Sequence, residues 1–579
     1  MATPPNFSEP GPQAWRSLRA VLTVQTQNAF NDNVVRFTLM GIAFVILQDN
    51  KTAVDSYKNL IGTLISLPFV LFAPIAGWTS DRFSKSRVLQ VCLYAQIGIM
   101  GAIVIGNLWL ATAGFFALAI QSAFFGPAKL GIMKELVGSK KLAVVSGWMQ
   151  MLAIVAIVFG SPAGGGGYKA ARDWISDPWL AGLVPISFIL LFAVVALLVV
   201  RRVQPTPAHH QEKLRANVFF RHFADLSEVY HSRPVWLSSL GIAFFWFSGA
   251  FAIAVFTQIA QEHFQGDTAA AVASYCLAAT GIGIMVGSIF VAIISSNRIE
   301  LGLVTLGGLG MAISVLLATC FSPGLYFYLA LVLLGITSAI FLVPQNAYLQ
   351  DKADPMRRGR ILSASNLINS LAAILANVAQ YALQQWGISS QIQLWFLGIS
   401  CLAAAIYTLK LLPSNFVRIL LKMALRIAYR VRILGESNIP DTGGALLLAN
   451  HVTWIDGMLI AAASPRDVRF VAHEEYFAKG LVGWGLRLFG VIPISSKNAR
   501  QAIKTTAEAV REGSLVCIFP EGTLTRTGNL NELQKGFELI VRQTDGAPVL
   551  PVYLDSLWGS IFSFSDNKFF FKRPRKFPY

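Results

Sequence analysis

The chain has 579 residues, 54% of them hydrophobic and 13% charged, with a mean hydropathy of +0.56. These values exclude an ordinary soluble protein and point to a polytopic membrane chain with room for one soluble domain. The formal charge of +17 comes without any basic run interleaved with stacking aromatics, so no nucleic-acid partner is expected; the charge fits topology-setting loops and anionic membrane lipid.

Residues Met1 to Gln13 are polar and proline-rich, without the basic region and apolar core of a cleavable leader, so the first membrane helix is expected to direct insertion. Apolar windows of about 20 residues follow about twelve times, near 20–47, 59–80, 88–108, 110–133, 143–165, 180–201, 235–261, 268–293, 299–319, 325–349, 360–384 and 391–412. The longest polar interval, Arg202 to Pro234, divides them six plus six. Alternate loops differ in charge: one set holds Arg82, Lys85, Arg87, Lys134, Lys140, Lys141, Arg201, Arg202, Lys213, Arg215, Arg221, Arg233, Arg298, Lys352, Arg357, Arg358 and Arg360. The other holds only Lys51, Lys58, Lys169 and Arg172. Positive loops stay inside, which assigns the first set, the N-terminus and everything after residue 412 to the cytosol.

A gapless internal repeat accompanies the split. Phe124-Phe125-Gly126-Pro127, then Lys141 and Ser146, aligns with Phe341-Leu342-Val343-Pro344, then Arg358 and Ser363. Parallel six-helix halves of this kind resemble carriers of the major facilitator superfamily. The loop Gly77-Trp78-Thr79-Ser80-Asp81-Arg82-Phe83-Ser84-Lys85-Ser86-Arg87 resembles that superfamily's signature loop, with Ser84 in place of its second glycine. The resemblance implies that Gly77, Asp81, Arg82 and Arg87 gate the carrier by clamping helix ends; a purely topological role for the basic residues is the alternative.

Charges inside membrane spans are costly and mark functional candidates. In the first span Asn28, Asn31, Asp32, Asn33 and Arg36 cluster, and Asp32 and Arg36 lie one turn apart, where they either neutralise each other or face a transport cavity. Lys129 in the fourth span has no acidic residue within its own turn; it would suit a phosphate-bearing cargo, or snorkel towards the membrane surface. With Asp32-Asn33 in the first helix of this twelve-helix frame, residues 15–412 resemble the lysophospholipid transporter (LplT) family. That resemblance implies flipping of lysophospholipid, chiefly lysophosphatidylethanolamine, across a bacterial inner membrane without an obligatory ion.

Between Asn415 and Leu434, apolar Phe416, Ile419, Leu420, Met423, Ala424, Ile427 and Ala428 alternate at helical spacing with Arg418, Lys422, Arg426, Arg430 and Arg432. The pattern predicts a basic amphipathic segment over 413–434, lying either on an anionic membrane face or on its own domain. From 435 to 579 strands and helices alternate: strands over 445–449, 468–472, 514–519 and 549–554, helices over 457–463, 478–488 and 499–512. This predicts an α/β domain with motifs at strand ends.

The five cysteines, Cys92, Cys276, Cys320, Cys401 and Cys517, show no disulfide or metal spacing. No metal or cofactor is expected. Asn450-His451-Val452-Thr453-Trp454-Ile455-Asp456 offers a base, His451, with a carboxylate, Asp456, to fix its tautomer, which is what removal of a hydroxyl proton during acyl transfer requires. About seventy residues on stands Phe519-Pro520-Glu521-Gly522-Thr523. Together the two resemble the first and third blocks of the PlsC-type glycerolipid acyltransferases; Val549-Leu550-Pro551-Val552 resembles the fourth, and Lys535-Gly536 stands where that family often has a Lys-Gly pair. The resemblance implies that Glu521, Gly522 and Thr523 help hold a phosphorylated acceptor. In the second block, Gly490-Val491-Ile492-Pro493-Ile494-Ser495-Ser496, the family's phosphate-binding arginine is replaced by Ser496, which cannot make a bidentate charged contact. Lys497, Arg500 or Arg526 compensates, or the acceptor carries a less charged phosphodiester. The same loss resembles the acyltransferase portion of bacterial acyltransferase/acyl-ACP synthetases; with the chain ending at Tyr579, no adenylate-forming domain is expected, and the donor would be acyl carrier protein or coenzyme A thioester made elsewhere.

The expected fold is thus a helical major facilitator domain over 1–412, a linker over 413–434 and an α/β acyltransferase domain over 435–579. The expected function is flipping and reacylation of lysophospholipid. The alternatives are a lysophosphatidic acid acyltransferase whose helices are an anchor, or a proton-coupled drug or solute exporter fused to an enzyme.

Overall fold

The computed structural model describes residues 11–47, 51–103, 106–208, 222–264, 266–295, 298–429, 431–495, 497–544 and 546–565. Ser496 and the basic run Lys572 to Lys576 lie outside them. The chain forms two compact units, Met1–Leu409 and Lys410–Tyr579.

The first unit is helical: α1 (Pro12–Ile46), α2 (Lys51–Leu71), α3 (Ala73–Arg82), α4 (Lys85–Ile103), α5 (Leu108–Arg172), α6 (Pro178–Val200), α7 (His222–His231), α8 (Arg233–His263), α9 (Gly266–Ile294), α10 (Gly302–Ala318), α11 (Leu325–Lys352), α12 (Arg358–Gln385) and α13 (Ser390–Leu411). Among the described residues, eight of these helices are long and apolar enough to cross a membrane, and α2 with α3, bent by 54°, makes a ninth if the pair is taken as one span. The bend falls at Phe72, because Pro74 in the first turn of α3 has no N–H to continue the ladder. At 65 residues α5 holds two expected spans, divided at Gly138, whose φ of +65° is a glycine conformation. With α4, polar at its start, and the shorter apolar α10, the twelve expected spans all fall on helices.

Small residues let these helices approach closely. A Cβ on Gly283 in α9 would lie 2.1 Å from the Val332 carbonyl of α11, and one on Gly335 in α11 would lie 2.1 Å from the Thr280 carbonyl of α9. The two halves meet at the basic-loop end. Lys134 Nζ pairs with Asp351 Oδ1 at 3.0 Å, and these residues stand 217 positions apart, the same interval as the sequence repeat. Residues at matching positions of two repeats touch only beside the axis relating them, so this ion pair marks the pseudo-twofold axis.

The second unit opens with α14 (Pro413–Ala428), then carries β1 (Ala445–Ala449), α15 (Asp456–Ala463), β2 (Val468–His473), α16 (Gly480–Leu488), β3 (Ile492–Ile494), α17 (Ala499–Arg511), β4 (Leu515–Ile518), α18 (Gly536–Arg542) and β5 (Val549–Val552). The sheet has order β3-β2-β4-β1-β5, and every neighbouring pair is parallel. Leu446, Val516 and Ile518 pack on one face with Ala507 and Val510 of α17 and Ile540 of α18, while Leu447, Leu515 and Cys517 pack on the other with Ile460 of α15. Central β1 and β4 are therefore unbroken apolar runs, as strands covered on both faces should be. Pro493 and Pro551 sit in the outermost strands, where a missing N–H breaks no interior ladder. Burial raises the Cys517 thiol above its ordinary range, so it is no nucleophile at neutral pH.

Two expectations change. The amphipathic helix ends at Ala428 rather than 434, and it packs on its own unit: Leu425 joins Val452, Ile455 and Leu459 in one apolar cluster, Ile419 is fully buried, and buried Arg418 pairs with Asp467. The helix expected over 478–488 is α16 (Gly480–Leu488), starting two residues later and preceded by a 3-10 turn over Glu474–Ala478; β3 and α18 do not show in the sequence, both being too short to show a period.

Gly283→Val is expected to destabilise the membrane unit by about 1–3 kcal/mol through overpacking, whereas Gly249→Ala, with nothing within 4 Å of its new Cβ, should cost nothing. Thermal unfolding of the purified protein in detergent checks the pair.

Candidate functional site

Parallel order places the C-terminal ends of β1 and β4 side by side, and these ends lead into His451 and Phe519. His451 Nδ1 lies 3.0 Å from Asp456 Oδ2. Asp456, the first residue of α15, is fully buried, and its Oδ2 also accepts from the Val452 and Thr453 N–H groups at 2.6 and 2.9 Å, while the Thr453 hydroxyl donates to Oδ1. A carboxylate is acceptor-only, so Nδ1 carries a proton and Nε2 is the ring nitrogen left to exchange one with a substrate. The imidazole stacks on Phe519, with ring centroids 4.1 Å apart and planes at 20°, and its side chain remains 23% exposed. An imidazole with one nitrogen anchored and the other reachable is the arrangement a general base needs.

The expected acceptor residues divide. Glu521 is buried, with Oε1 accepting from the His451 N–H at 2.7 Å and Oε2 from the Asn531 N–H at 2.8 Å. Both its oxygens face backbone donors, so geometry makes it a strut between loops rather than an anion contact. Gly522 has φ +69°, and its N–H returns to the Phe519 carbonyl at 3.0 Å, making the tight turn after β4. Thr523 is exposed at that turn. The Thr525 N–H donates to the His451 carbonyl at 2.9 Å, which brings exposed Arg526 to the same loop cluster, its guanidinium over the Phe564 ring. Lys497 and Arg500 are exposed where the chain leaves β3 for α17, at the same strand-end edge. Asn450, whose role the sequence did not show, exchanges two hydrogen bonds with the Leu554 backbone and ties the end of β1 to the chain beyond β5.

Within the membrane unit Asp32 Oδ2 accepts from Ser122 Oγ at 2.8 Å and Asn28 Nδ2 at 3.2 Å. Lys129 Nζ donates to Gln25 Oε1 at 2.6 Å and interacts electrostatically with Asp32. Gln96 and Gln121 both donate to Asn28 Oδ1. Asp32 and Lys129 thus share one partly buried polar network on α1, α4 and α5. Asn33 and Arg36 do not join it: Asn33 bonds the Ala29 carbonyl of its own helix, and the Arg36 guanidinium lies over Phe37. Among the described residues Asp32 and Arg36 form no ion pair. Gln25, Gln96, Gln121 and Ser122 were missed; the available signal was the i, i+3, i+7 spacing of Gln25, Asn28 and Asp32.

A family model described as Major Facilitator Superfamily matches residues 32–377, more than half of the chain. The chain belongs to the Major Facilitator Superfamily. A second model, described as Acyltransferase, matches residues 430–555, so one polypeptide joins a superfamily transporter domain to an acyltransferase domain. The chain is similar to the lysophospholipid transporter LplT of Serratia proteamaculans, 27% identical over 383 residues, 64% of this chain and 89% of that protein. It is similar also to that of Klebsiella pneumoniae (strain 342), 27% identical over 369 residues, 62% of this chain and 87% of that protein. In fold it resembles the human organic anion transporter MFSD10 (TM-score 0.56, 16% identity, 69% of this chain and 100% of that one). It also resembles FucP in the outward conformation (TM-score 0.54, 14% identity, 68% and 98%).

In this superfamily member the signature loop joins the two halves. Asp81 Oδ1 and Oδ2 accept from the Gly359 and Arg360 N–H groups of α12 at 2.6 and 3.1 Å, capping that helix, and the Ser363 hydroxyl donates to the Ala73 carbonyl. Gly77 is required by this approach, since its Cβ would lie 2.7 Å from Arg360 Cα. The cationic partner is not the expected one. Lys85, fully buried, pairs with Glu135 Oε1 at 2.6 Å, whereas Arg87 is exposed, and among the described residues neither Arg82 nor Arg87 makes an ion pair.

If Glu521 is a strut, Glu521→Gln sets an amide N–H₂ against a backbone donor and costs about 1–3 kcal/mol of stability. Initial-rate kinetics should then show kcat falling about tenfold or more with KM for the acceptor nearly unchanged; a rise in KM alone would make Glu521 an acceptor contact.

Proposed function

We propose that the protein salvages lysophospholipid in a bacterial inner membrane: the transporter domain flips it inward and the acyltransferase domain reacylates it on the cytosolic face. The observation that carries the enzymatic half is the His451–Asp456 pair seated at the strand-end edge beside the Phe519–Thr523 turn. His451 Nε2 takes the proton of a glycerol hydroxyl, whose oxygen attacks the carbonyl of an acyl thioester. The tetrahedral intermediate collapses, the C–S bond breaks, and the imidazolium returns the proton to the departing thiolate. Asp456 stabilises the imidazolium between these steps. The donor is acyl carrier protein or coenzyme A thioester, and Lys497, Arg500 and Arg526 supply positive charge to the acceptor's phosphate. Ser496, uncharged where the resembled family has arginine, favours lysophosphatidylethanolamine over lysophosphatidic acid.

The carrier half is supported by relatives named lysophospholipid transporters, and the loop charges suit a second domain on the cytosolic side, where thioesters are found. Asp32 and Lys129, opposite charges in one partly buried network, suit a zwitterionic head group: the carboxylate faces the ammonium and the lysine the phosphodiester.

His451→Ala should abolish acyl transfer to lysophosphatidylethanolamine in membranes while leaving lysolipid uptake into vesicles intact. Retained transfer would reject the catalytic assignment, and uptake no greater than that of protein-free vesicles would reject the carrier assignment. In the same uptake assay Asp32→Asn and Lys129→Ala should each reduce transport about tenfold or more, since each removes a charge that a buried head group needs.

A further inference from the structure

Helix α16 is turned inside out. Gly483 is its buried residue, held so tightly that a Cβ would lie 2.1 Å from the Phe477 carbonyl. The opposite side presents Leu481, 86% exposed, with Val482 and Trp484 about half exposed. A surface helix of a soluble domain normally does the reverse, burying its apolar stripe. Adjacent large apolar side chains left in the open mark an interaction surface rather than scattered exposure.

The neighbourhood fixes the kind of partner. Lys479 precedes the helix, its ammonium over the Tyr476 ring at 4.6 Å, and Arg487 closes it, donating to the Phe477 carbonyl at 2.9 Å. Cations flanking an apolar, tryptophan-bearing face are the pattern of a helix lying in an anionic lipid interface. The face is continuous with the candidate active site. Tyr476, in the turn leading into α16, packs edge-on against Trp454 at 5.5 Å, and Trp454 is half-exposed in the loop between His451 and Asp456.

We propose that α16 dips into the cytosolic leaflet, so that Leu481, Val482 and Trp484 lie among acyl chains and a membrane-resident acceptor reaches His451 along Trp454 without leaving the bilayer. The proposal rests on the reading of the second domain as an acyltransferase acting on a lipid acceptor. It adds how that acceptor arrives.

The test uses the full chain in vesicles of phosphatidylethanolamine and phosphatidylglycerol. Cys320, exposed among otherwise buried cysteines, is replaced by serine, and a spin label is placed at Leu481→Cys or, for comparison, at Lys504→Cys on α17. Insertion predicts collisions of the position-481 label with oxygen but not with a water-soluble nickel chelate, and the opposite at 504. Nickel access at 481 overturns the proposal, and shielding from both reagents also overturns it, assigning the face to a protein partner. A kinetic arm uses Leu481→Glu with Trp484→Glu. Transfer to long-chain lysophosphatidylethanolamine in vesicles should lose about tenfold or more in kcat/KM, while transfer to a water-soluble short-chain lysolipid stays unchanged. Equal loss on both acceptors overturns the proposal. His451→Ala run alongside separates the two readings, because activity surviving that substitution rejects the catalytic assignment whatever the labels at α16 report.

Discussion

Three buried carboxylates hold this protein's functional parts in place by accepting backbone N–H groups: Asp81 from Gly359 and Arg360, Asp456 from Val452 and Thr453, and Glu521 from His451 and Asn531. The constraint behind them is common to both domains. Where a strand or helix begins or ends, its N–H groups have no partner in the element itself, and burying them bare costs about 1–3 kcal/mol each. A carboxylate offers two acceptor oxygens, so one side chain satisfies two such donors. In the acyltransferase domain that satisfaction aims the chemistry: the atoms of Asp456 that quiet the loop after β1 also hold the His451 ring, and Glu521 fixes the distance between the His451 loop and the turn after β4.

This explains which parts were legible in the sequence. The helices of the membrane unit were, because each needs its own run of apolar residues, and what composition could not foresee was local: the Pro74 bend and the Gly138 break. The His451–Asp456 pair was readable because its two members are close in sequence and its chemistry demands both. The backbone partners of Glu521 were not legible, since a carboxylate in a turn says nothing of which N–H groups will face it. Lys85 was overlooked beside Arg82 and Arg87 because the three look alike along the chain. Only packing shows that Lys85 is the one buried against Glu135. For α14 the helical spacing was right and the partner was undecided: an apolar stripe meets lipid or protein alike, and the Arg418–Asp467 pair and the Leu425 cluster show it meeting protein.

The sheet order was the decisive unreadable quantity. Seventy residues separate His451 from Glu521, and nothing between them states that β4 inserts next to β1 while β2 and β3 lie beyond it. Hydropathy records only part of this, in the unbroken apolar runs of β1 and β4 and the prolines of β3 and β5, which sort centre from edge. Once the centre is β1 and β4, the two motifs become neighbours at one edge, and the residues between them are left to build the periphery, α16 included.

The first span shows the same logic from the other side. An acid and a base one turn apart would be the cheapest way to bury two charges in a membrane helix, yet Asp32 turns from Arg36 to Ser122 and Asn28. Around it Asp32 Oδ1, Gln27 Oε1 and Gln121 Oε1 accept no hydrogen bond from the protein, although buried acceptors are normally satisfied. Folding alone gains nothing from that arrangement, and an apolar substitute would lower its cost. A cationic group arriving from outside would satisfy several of these acceptors at once, with Lys129 beside them to meet the opposite charge. The unsatisfied acceptors are therefore a firmer argument for the zwitterionic cargo proposed above than the charges by themselves, because Asp32 and Lys129 can offset one another whereas the bare acceptors have no partner in the protein.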